Sequence, residues 1–256
     1  MSSLRKQRAA AWSGAAAAEA YERLRPGYPA EAVEWLLPDD AVRVLDLGAG
    51  TGKLTRSLLE GEREVVAVDP SAEMLQVLAA AVPGVATQVG TGESIPLPAG
   101  SVDAVLCAQA WHWVDAEAGC AEIARVLRPG GTFGLVWNAD DVRVGWVEEL
   151  QALKHGARGA STGQGAGGEV LTGELGISDA FLEREEAEFE WSVPYAPDDL
   201  VDLVATRSYI LTAPPDERDR LVAEVRDLLT NHPQTAGRAM IDLPMVTTCV
   251  RTTVRS

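Results

Sequence analysis

A glycine-rich turn that begins with a carboxylate is the feature of this sequence best suited to binding a ligand. The turn runs from Asp46 to Gly52 and reads Asp-Leu-Gly-Ala-Gly-Thr-Gly. Glycine lets a backbone adopt positive φ and approach a ligand closely. An apolar run, Val42 to Leu47, leads into the turn and a helical pattern follows it, which predicts a position at the carboxyl end of a strand. Ligands bind at that end of the strands in a doubly wound sheet.

Two phosphate-binding interpretations of this turn fail on spacing. A dinucleotide fingerprint requires a third glycine at the position that Lys53 occupies. A P-loop requires four residues between its glycines, whereas three separate Gly48 from Gly52. A carboxylate inside the turn would repel a pyrophosphate but could hold an ammonium group. The pattern therefore favours a zwitterionic, sulfonium-bearing ligand, and a tight turn with a capping Asp is the structural alternative.

A second acid, Asp69, closes the next predicted strand 23 residues after Asp46. An acid at about this offset holds ribose hydroxyls in nucleoside-binding sheets of this kind. Taken alone, Asp69 followed by Pro70 and Ser71 is equally well a helix N-cap. Paired with the glycine turn, it predicts a ribose site. The turn at 90–93 follows the third predicted strand and could edge an adenine ring, although such residues are more often loop positions.

The surrounding sequence alternates β-rich apolar runs with helical patterns, which predicts a parallel sheet covered on both faces. Strands are expected at 42–47, 64–68, 85–89, 102–107, 132–137, 186–193 and 240–250, and helices at 54–60, 72–81, 117–127, 146–154, 198–205 and 216–229. Ser71 is expected to cap the second helix, and a turn at 128–131 to end the third. The fold class is thus α/β, a doubly wound, Rossmann-like, seven-stranded and mostly parallel sheet with helices on both faces. We expect a single domain with a C-terminal cap-like elaboration.

Composition excludes several classes of partner. The 256 residues include 38 acidic and 22 basic side chains, giving a net charge of −16, so neither nucleic acid nor an anionic membrane is an expected partner. Cys107, Cys120 and Cys249 have the spacing of neither a disulfide framework nor a zinc site, which predicts no metal and a reducing compartment. Neither a signal-peptide core nor an apolar run of membrane-spanning length occurs. A cytoplasmic location is expected.

Five stretches of the chain carry a family resemblance. They are Tyr21 with Arg25 to Pro29, Asp46 to Gly52, Val68 to Leu75, Gly90 to Pro98, and Gln109 to Trp113 with Glu122 to Gly131. In this order they resemble the class I S-adenosylmethionine-dependent methyltransferases, in the small-molecule branch that includes trans-aconitate-type enzymes. The resemblance implies S-adenosyl-L-methionine as cofactor and a small-molecule acceptor, and it leaves the oligomeric state and the acceptor's identity open.

The resemblance also implies roles for individual residues. The methionine end would lie against Asp46, Gly48, Ala49 and Gly50, under a cover of Tyr21, Arg25 and Tyr28. The nucleoside would lie against Asp69, Pro70, Met74, Thr91, Gly92 and Glu93, and the sulfonium beside Gln109 and Ala110. The implied layout is an N-terminal helical lead at 1–40 that closes over the cofactor, a cofactor-binding core at 41–138, and a variable acceptor-side region at 139–256. Its loop at 156–176 is either an active-site lid or an idle linker.

Methyl transfer from a sulfonium is an in-line displacement, which needs a general base only when the acceptor is a hydroxyl, a phenol or a carbon acid. His112 is expected at the carboxyl end of the fourth predicted strand, either as that base or as a residue hydrogen-bonded beneath the cofactor. The acceptor-side candidates are Trp111, Trp113, Tyr195 and Tyr209.

Other functions remain open at this point. They are a non-catalytic S-adenosylmethionine-binding protein, a methyltransferase acting on tRNA or protein, and a nicotinamide oxidoreductase, which the missing third glycine disfavours.

Overall fold

Strands and helices alternate along the computed structural model, which describes residues 22–60, 63–158, 175–207, 210 and 213–255. The strands are β1 (Arg43–Leu47), β2 (Glu64–Asp69), β3 (Ala86–Val89), β4 (Val102–Ala108), β5 (Leu127–Asp140), β6 (Glu185–Tyr195) and β7 (Ile241–Thr253). The helices are α1 (Ala30–Leu36), α2 (Lys53–Leu59), α3 (Ala72–Ala81), α4 (Ala116–Val126), α5 (Gly145–Arg158), α6 (Pro197–Ala205) and α7 (Pro215–Asn231), and a 3-10 turn covers Trp111–Trp113.

The strands form one seven-stranded sheet in the order β3-β2-β1-β4-β5-β7-β6. The four pairs β1–β2, β1–β4, β2–β3 and β4–β5 are parallel. The chain moves outward from β1 to β3 and then returns to place β4 on the other side of β1, so the strand order reverses between β1 and β4. A crevice opens at the carboxyl ends of the strands at such a reversal. The predicted doubly wound α/β fold is confirmed.

Local sequence signals account for the first half of the sheet. Every residue of β1 after Arg43, and every residue of β2 after Glu64, is buried, as expected for strands covered on both faces. The Ser71 hydroxyl accepts a hydrogen bond from the Met74 amide at 3.2 Å, which confirms the predicted cap of α3. The Asp115 side chain caps α4 in the same way.

Two boundaries differ from the sequence-based prediction. The segment at 128–131 was expected to be a turn, but β5 begins at Leu127, directly after α4. Leu127 pairs with Val102, and a register shift between Val102 and Ala104 accommodates the Pro-Gly-Gly segment as extended chain. Helix α5 extends to Arg158, so the predicted loop at 156–176 begins as helix. Residues 159–174 of that loop lie outside the described residues.

The chain divides into two compact units. The core unit contains the described residues of 27–138, 175–189 and 247–255, and the helical unit contains those of 22–26, 139–158 and 190–246. In the core unit, side chains such as Phe133 and Leu45 pack into buried clusters. In the helical unit, one cluster includes Val147 on α5, Leu200 on α6 and Val225 on α7. Over the described residues, no helix combines the length and apolarity needed to cross a membrane.

Candidate functional site

The turn between β1 and α2 is fixed by backbone hydrogen bonds and by the shape of glycine. The amides of Gly48 and Ala49 both donate to the carbonyl of Val68, at 2.8 and 3.1 Å. Gly48 has a φ of 74°, and a Cβ on it would lie 2.6 Å from the Cβ of Ala110. Such a contact is too close for any other residue, so the glycine turn packs directly against the segment after β4.

Asp46 begins the glycine turn and is fully buried. The Thr55 hydroxyl donates to Oδ2 of Asp46 at 2.5 Å, whereas none of the residues that the structure describes hydrogen-bonds to Oδ1. Burial raises the pKa of Asp46 to about 7, the Thr55 hydrogen bond opposes that rise, and the charge of Asp69 adds to it. A buried carboxylate oxygen without a donor is costly. A cationic donor bound at this turn would remove that cost.

Asp69 ends β2 and is 8% exposed. Its Oδ2 accepts a hydrogen bond from the Gly50 amide at 2.9 Å, and its Oδ1 accepts one from the Ser71 amide at 2.8 Å. Burial raises the pKa of Asp69, and the two amides offset part of that rise. An ionised carboxylate has about four acceptor sites, so both oxygens can still accept a ligand's hydroxyls. The two amides thereby fix the plane of the carboxyl group.

The segment after β4 carries an unusual backbone conformation. Gln109 has a φ of 55° and is the one non-glycine residue with positive φ in the described part of the chain. Its amide donates to the Val136 carbonyl at 2.9 Å, and its side-chain Nε2 donates to the Asn138 carbonyl at 3.3 Å. Strained backbone of this kind clusters at functional sites because the surrounding structure must hold it in place. The hydrogen bonds to β5 hold Gln109 here and direct the next residue, Ala110, toward Gly48.

Asn138 is a buried polar residue beside Gln109 that the sequence analysis did not single out. It is 7% exposed, its Nδ2 donates to the Gly27 carbonyl at 2.8 Å, and its Oδ1 accepts the Thr247 hydroxyl at 2.6 Å. Its own carbonyl accepts the side chain of Gln109. Two separate segments of the core unit therefore meet at its amide side chain, and a third meets its backbone carbonyl. A polar residue that ends an apolar strand was the available sequence signal.

The turn predicted to border an adenine ring contacts Val114 and Asp115, which directly precede α4. A Cβ on Gly92 would lie 2.7 Å from Cγ1 of Val114, and Oε1 of Glu93 accepts the Asp115 amide at 2.9 Å. Thr91 is exposed. Of the other residues predicted for the nucleoside, Met74 is buried on α3 and Pro70 is exposed.

Trp111 and His112 are neighbours on the 3-10 turn but differ in their exposure to solvent. His112 is exposed, and its ring lies 4.7 Å from that of Trp113. Trp111 is 4% exposed, packs edge-on against Phe133 at 5.1 Å, and donates its indole N–H to the Leu175 carbonyl at 2.8 Å. Trp111 is therefore a core residue, which corrects its expected place in an acceptor pocket.

The remaining predicted residues divide between the two units. Tyr28 is half-buried in the core unit, whereas Arg25 and Tyr195 belong to the helical unit. The Tyr195 hydroxyl donates to the Leu24 carbonyl at 2.8 Å, and burial raises its pKa to about 12, which makes it a poor base near neutral pH. Tyr21 and Tyr209 lie outside the described residues.

Comparisons with known proteins identify the family. Residues 45–135 match the model of a family described as "Methyltransferase domain". An uncharacterized methyltransferase of Mycobacterium tuberculosis is 50% identical over 235 residues, which cover 92% of this chain and 93% of the relative. The chain belongs to the class I S-adenosylmethionine-dependent methyltransferases. A solved structure from Anaeromyxobacter dehalogenans aligns with this methyltransferase at a TM-score of 0.66 and 27% identity, covering 90% of this chain and 97% of that one.

A further solved structure is similar in fold alone. It is the Haemonchus contortus phosphoethanolamine N-methyltransferase 2 in complex with phosphomonomethylethanolamine and S-adenosylhomocysteine. It aligns at a TM-score of 0.58 and 17% identity, covering 100% of this chain and 61% of that one.

S-adenosylmethionine is the cofactor of this methyltransferase, and the residues of the core unit fit it. The buried Oδ1 of Asp46 can accept from an ammonium group, the open space beside Gly50 admits a ligand close to the backbone, and Asp69 offers acceptors for a diol. Membership of this family removes the nicotinamide oxidoreductase alternative. Within the described ranges, no group of three or more His, Cys, Asp or Glu side chains could hold a metal ion.

Proposed function

We propose that this methyltransferase transfers a methyl group to a small molecule in the cytoplasm, by in-line displacement at an oxygen, nitrogen or carbon atom. The acceptor is a secondary metabolite or an organic acid, in keeping with the trans-aconitate-type branch. The observation that supports a small-molecule acceptor is the excess of 38 acidic over 22 basic side chains. This excess of negative charge disfavours a polyanionic RNA substrate. Three free, buried cysteines are consistent with a reducing compartment.

The residues of the core unit would hold the reacting groups in line. When bound, S-adenosylmethionine supplies an activated methyl group. Asp46 would bind the ammonium, Asp69 would bind the ribose, and Gln109 with Ala110 would lie beside the sulfur. The remaining nucleoside contacts would come from the buried Met74 and the turn at 91–93. Fixing two reactants in a productive orientation contributes roughly 7–11 kcal/mol to catalysis, so much of the acceleration can come from positioning.

His112 is the proposed general base. Its imidazole is exposed on the turn that follows β4, where it could accept a proton from an acceptor hydroxyl, phenol or acidic carbon. Imidazole is the side chain most often used for this purpose. Trp113, whose ring contacts that of His112, would exclude water from the proton transfer.

Calorimetric titration tests the cofactor site first. The full chain is titrated with S-adenosylmethionine, S-adenosylhomocysteine and NAD, beside an Asp69→Ala variant and a matched Asp39→Ala control, which changes an exposed aspartate of the same unit. We expect binding of the first two ligands, weakened by Asp69→Ala alone, and no binding of NAD. Binding of NAD, or equal affinities in both variants, would contradict the proposed site.

A methyl-transfer screen then tests the acceptor class. The protein is incubated with methyl-labelled cofactor and, separately, with a metabolite extract, total tRNA or total protein from a bacterial lysate. We expect label in the small-molecule fraction. Label in tRNA or protein would replace the small-molecule proposal, and cofactor binding without label in any fraction would favour the non-catalytic alternative.

A further inference from the structure

An ion pair on α4 faces the segment that joins β3 to β4. Glu122 and Arg125 lie three residues apart on that helix. Two hydrogen bonds join them, from Nε of Arg125 to Oε1 of Glu122 at 2.7 Å and from Nη2 to Oε2 at 2.8 Å. The hydrogen bonds from Arg125, helped by the Ile95 amide, lower the pKa of Glu122 to about 2, although burial opposes the shift. Both side chains are therefore charged near neutral pH.

Both members of this pair also bind the backbone of the joining segment. Arg125 donates from Nη2 to the Ile95 carbonyl at 2.8 Å and from Nη1 to the Leu97 carbonyl at 2.7 Å. Oε2 of Glu122 accepts the Ile95 amide at 2.9 Å. A single surface ion pair contributes little to stability, but a bidentate pair within a network can contribute more. Glu122 and Arg125, with their three hydrogen bonds to this backbone, are called the α4 clasp.

The α4 clasp binds the chain directly after the turn at 91–94. Hydrogen bonds in both directions between the backbones of Thr91 and Ser94, each 3.2 Å long, close this turn. Ile95 is the next residue, and the side chains of Ile95 and Leu97 are buried in the core of the unit. A displacement of the turn would therefore break the clasp or expose apolar side chains to water.

The other end of the turn is attached to the strand that carries Asp69. The Gly90 amide donates to the Asp69 carbonyl at 3.2 Å, and Asp69 pairs with Val89 where β2 and β3 run in parallel. The turn at 91–94 thus lies between two attachments, one at the proposed ribose carboxylate and one at the α4 clasp. Together they set the distance between a ribose bound at Asp69 and the turn that would border its base.

We propose that Glu122 and Arg125 are positioning residues for the nucleobase, which fix the turn at 91–94 so that the protein selects an adenine-bearing ligand over one without a base. The two side chains act through the backbone of Ile95 and Leu97 and need no contact with the ligand. This inference rests on the proposed function, in which the turn borders the adenine. A turn that is already fixed loses less conformational entropy when the base binds, which strengthens binding.

Two ligands that differ in the base measure its contribution to affinity. S-adenosylhomocysteine and S-ribosylhomocysteine share the amino-acid end and the sugar, but the second has no base. Each competes with methyl-labelled S-adenosylmethionine for the full chain, which gives its Kd without any methyl transfer. The Kd of S-ribosylhomocysteine divided by that of S-adenosylhomocysteine is called the base ratio, and we expect it to be well above one in the wild type.

Arg125→Lys should lower the base ratio by about three- to tenfold, the equivalent of one hydrogen bond to the base. Lysine keeps the positive charge but lacks the rigid fork with which a guanidinium serves several acceptors at once. The Kd of S-ribosylhomocysteine should stay unchanged. Arg63→Lys is the matched control, because Arg63 also makes a bidentate pair in the core unit, but with Glu34 on α1. It should leave the base ratio unchanged.

Glu122→Gln is a second variant that keeps the shape of the side chain. It retains an acceptor for the Ile95 amide but removes the negative charge that orients Arg125, so the base ratio should fall by a smaller factor. Thermal unfolding identifies the folded variants, and Glu122→Gln decides if Arg125→Lys does not fold. Equal weakening of both ligands would assign the pair a purely structural role and overturn the inference, as would a fall in the base ratio that Arg63→Lys reproduces.

The wild type separates this inference from the proposed function. If S-adenosylhomocysteine does not bind to the wild type, the proposed function fails. If it binds but the base ratio of the wild type is close to one, or is the same in the clasp variants, this inference fails and the cofactor assignment stands.

Discussion

The backbone amide of Gly50 donates a hydrogen bond to Oδ2 of Asp69, with 2.9 Å between nitrogen and oxygen. This bond joins the glycine turn after β1 to the carboxylate that ends β2. The Ser71 amide holds the other oxygen, so the carboxyl group cannot rotate freely. The two halves of the proposed cofactor site are thus fixed relative to each other by the same backbone atoms that form the turn.

Replacing Asp69 by Asn should weaken cofactor binding. The amide keeps the shape of the carboxylate, but one of its two ends becomes an NH2 group that must face the amide of Gly50 or Ser71. Each lost hydrogen bond to a charged group corresponds to about 1.5–3 kcal/mol, so we expect the Kd for S-adenosylmethionine to rise roughly 10- to 100-fold. Calorimetry measures it, with Asp39→Asn as the control. An unchanged Kd would show that Asp69 does not contact the cofactor.

Replacing Gly48 by Ala should abolish cofactor binding through a steric clash. Gly100 provides the matched control, because it also has positive φ (60°, against 74° for Gly48) but a Cβ there meets nothing within 4 Å. Both variants carry the left-handed penalty of about 1–2 kcal/mol, and only Gly48→Ala adds the contact with Ala110. The double variant Gly48→Ala with Ala110→Gly should recover part of the binding. Equal loss in the two single variants would mean that backbone strain, rather than the clash, is responsible.

Cofactor affinity should depend on pH through Asp46. In the ligand-free protein its pKa is about 7, so its neutral form predominates in mildly acidic solution. An ammonium ligand favours the ionised form, and binding therefore releases a proton. A ligand α-amino group stays charged below its own pKa of about 7.7–8, so affinity should rise roughly tenfold between about pH 5.5 and 7. Calorimetry in buffers of different ionisation enthalpy measures the affinity and the number of protons released. Asp46→Asn should remove both the pH dependence of the affinity and the proton release.

Asp46 should also make the stability of the ligand-free protein depend on pH. Its folded pKa of about 7 lies above the ordinary value of 3.8. The neutral carboxyl therefore contributes its full stabilisation of the folded state when the pH is below the ordinary pKa. This contribution is lost as the pH rises through about 7. The difference in Tm between Asp46→Asn and the wild type should grow in favour of the variant from about pH 4 to 8. A constant difference over that range would show that the carboxyl is not buried as described.

Features with a local cause were predictable from the sequence, and features that depend on distant partners were not. Ser71 was predicted as a cap because the groups that it joins lie within one turn of α3. Trp111 was misplaced because its burial depends on Phe133 and on the carbonyl of Leu175, which is 64 residues away. The same reasoning explains why no pattern near Arg125 revealed its contact with Ile95, which is 30 residues away.

Asn138 likewise depends on partners that are distant in the sequence and that no local pattern reveals. Its two side-chain partners lie 111 and 109 residues away. Asp46 and Asp69 could be proposed as site residues from the sequence because a strand followed by glycines or by a capping residue is a local pattern. A single amide that ends a strand has no such pattern, so only the folded chain brings its partners together.

Replacing Asn138 by Leu should destabilise the core unit and weaken cofactor binding. The change leaves the Gly27 carbonyl and the Thr247 hydroxyl without their partners, at a cost of about 1–3 kcal/mol for each buried group. Thr247→Val is the matched control, since it removes only the donor to Oδ1. Denaturant unfolding should show a loss in both variants, whereas cofactor affinity should fall in Asn138→Leu alone, because Gly27 precedes Tyr28 of the segment proposed to cover the methionine end. Equal affinity in the two variants would confine Asn138 to a structural role.

Replacing His112 by Gln should separate catalysis from binding. The side chain is exposed beside Trp113, so its loss should leave the fold and the Kd for S-adenosylmethionine unchanged. With a hydroxyl, phenol or carbon-acid acceptor, kcat should fall by about 10²- to 10⁴-fold. His155→Gln, which changes an exposed histidine on α5, should retain full activity. An unchanged kcat in His112→Gln would mean that the acceptor reacts without a base, as a carboxylate or free amine does, or that another group accepts the proton.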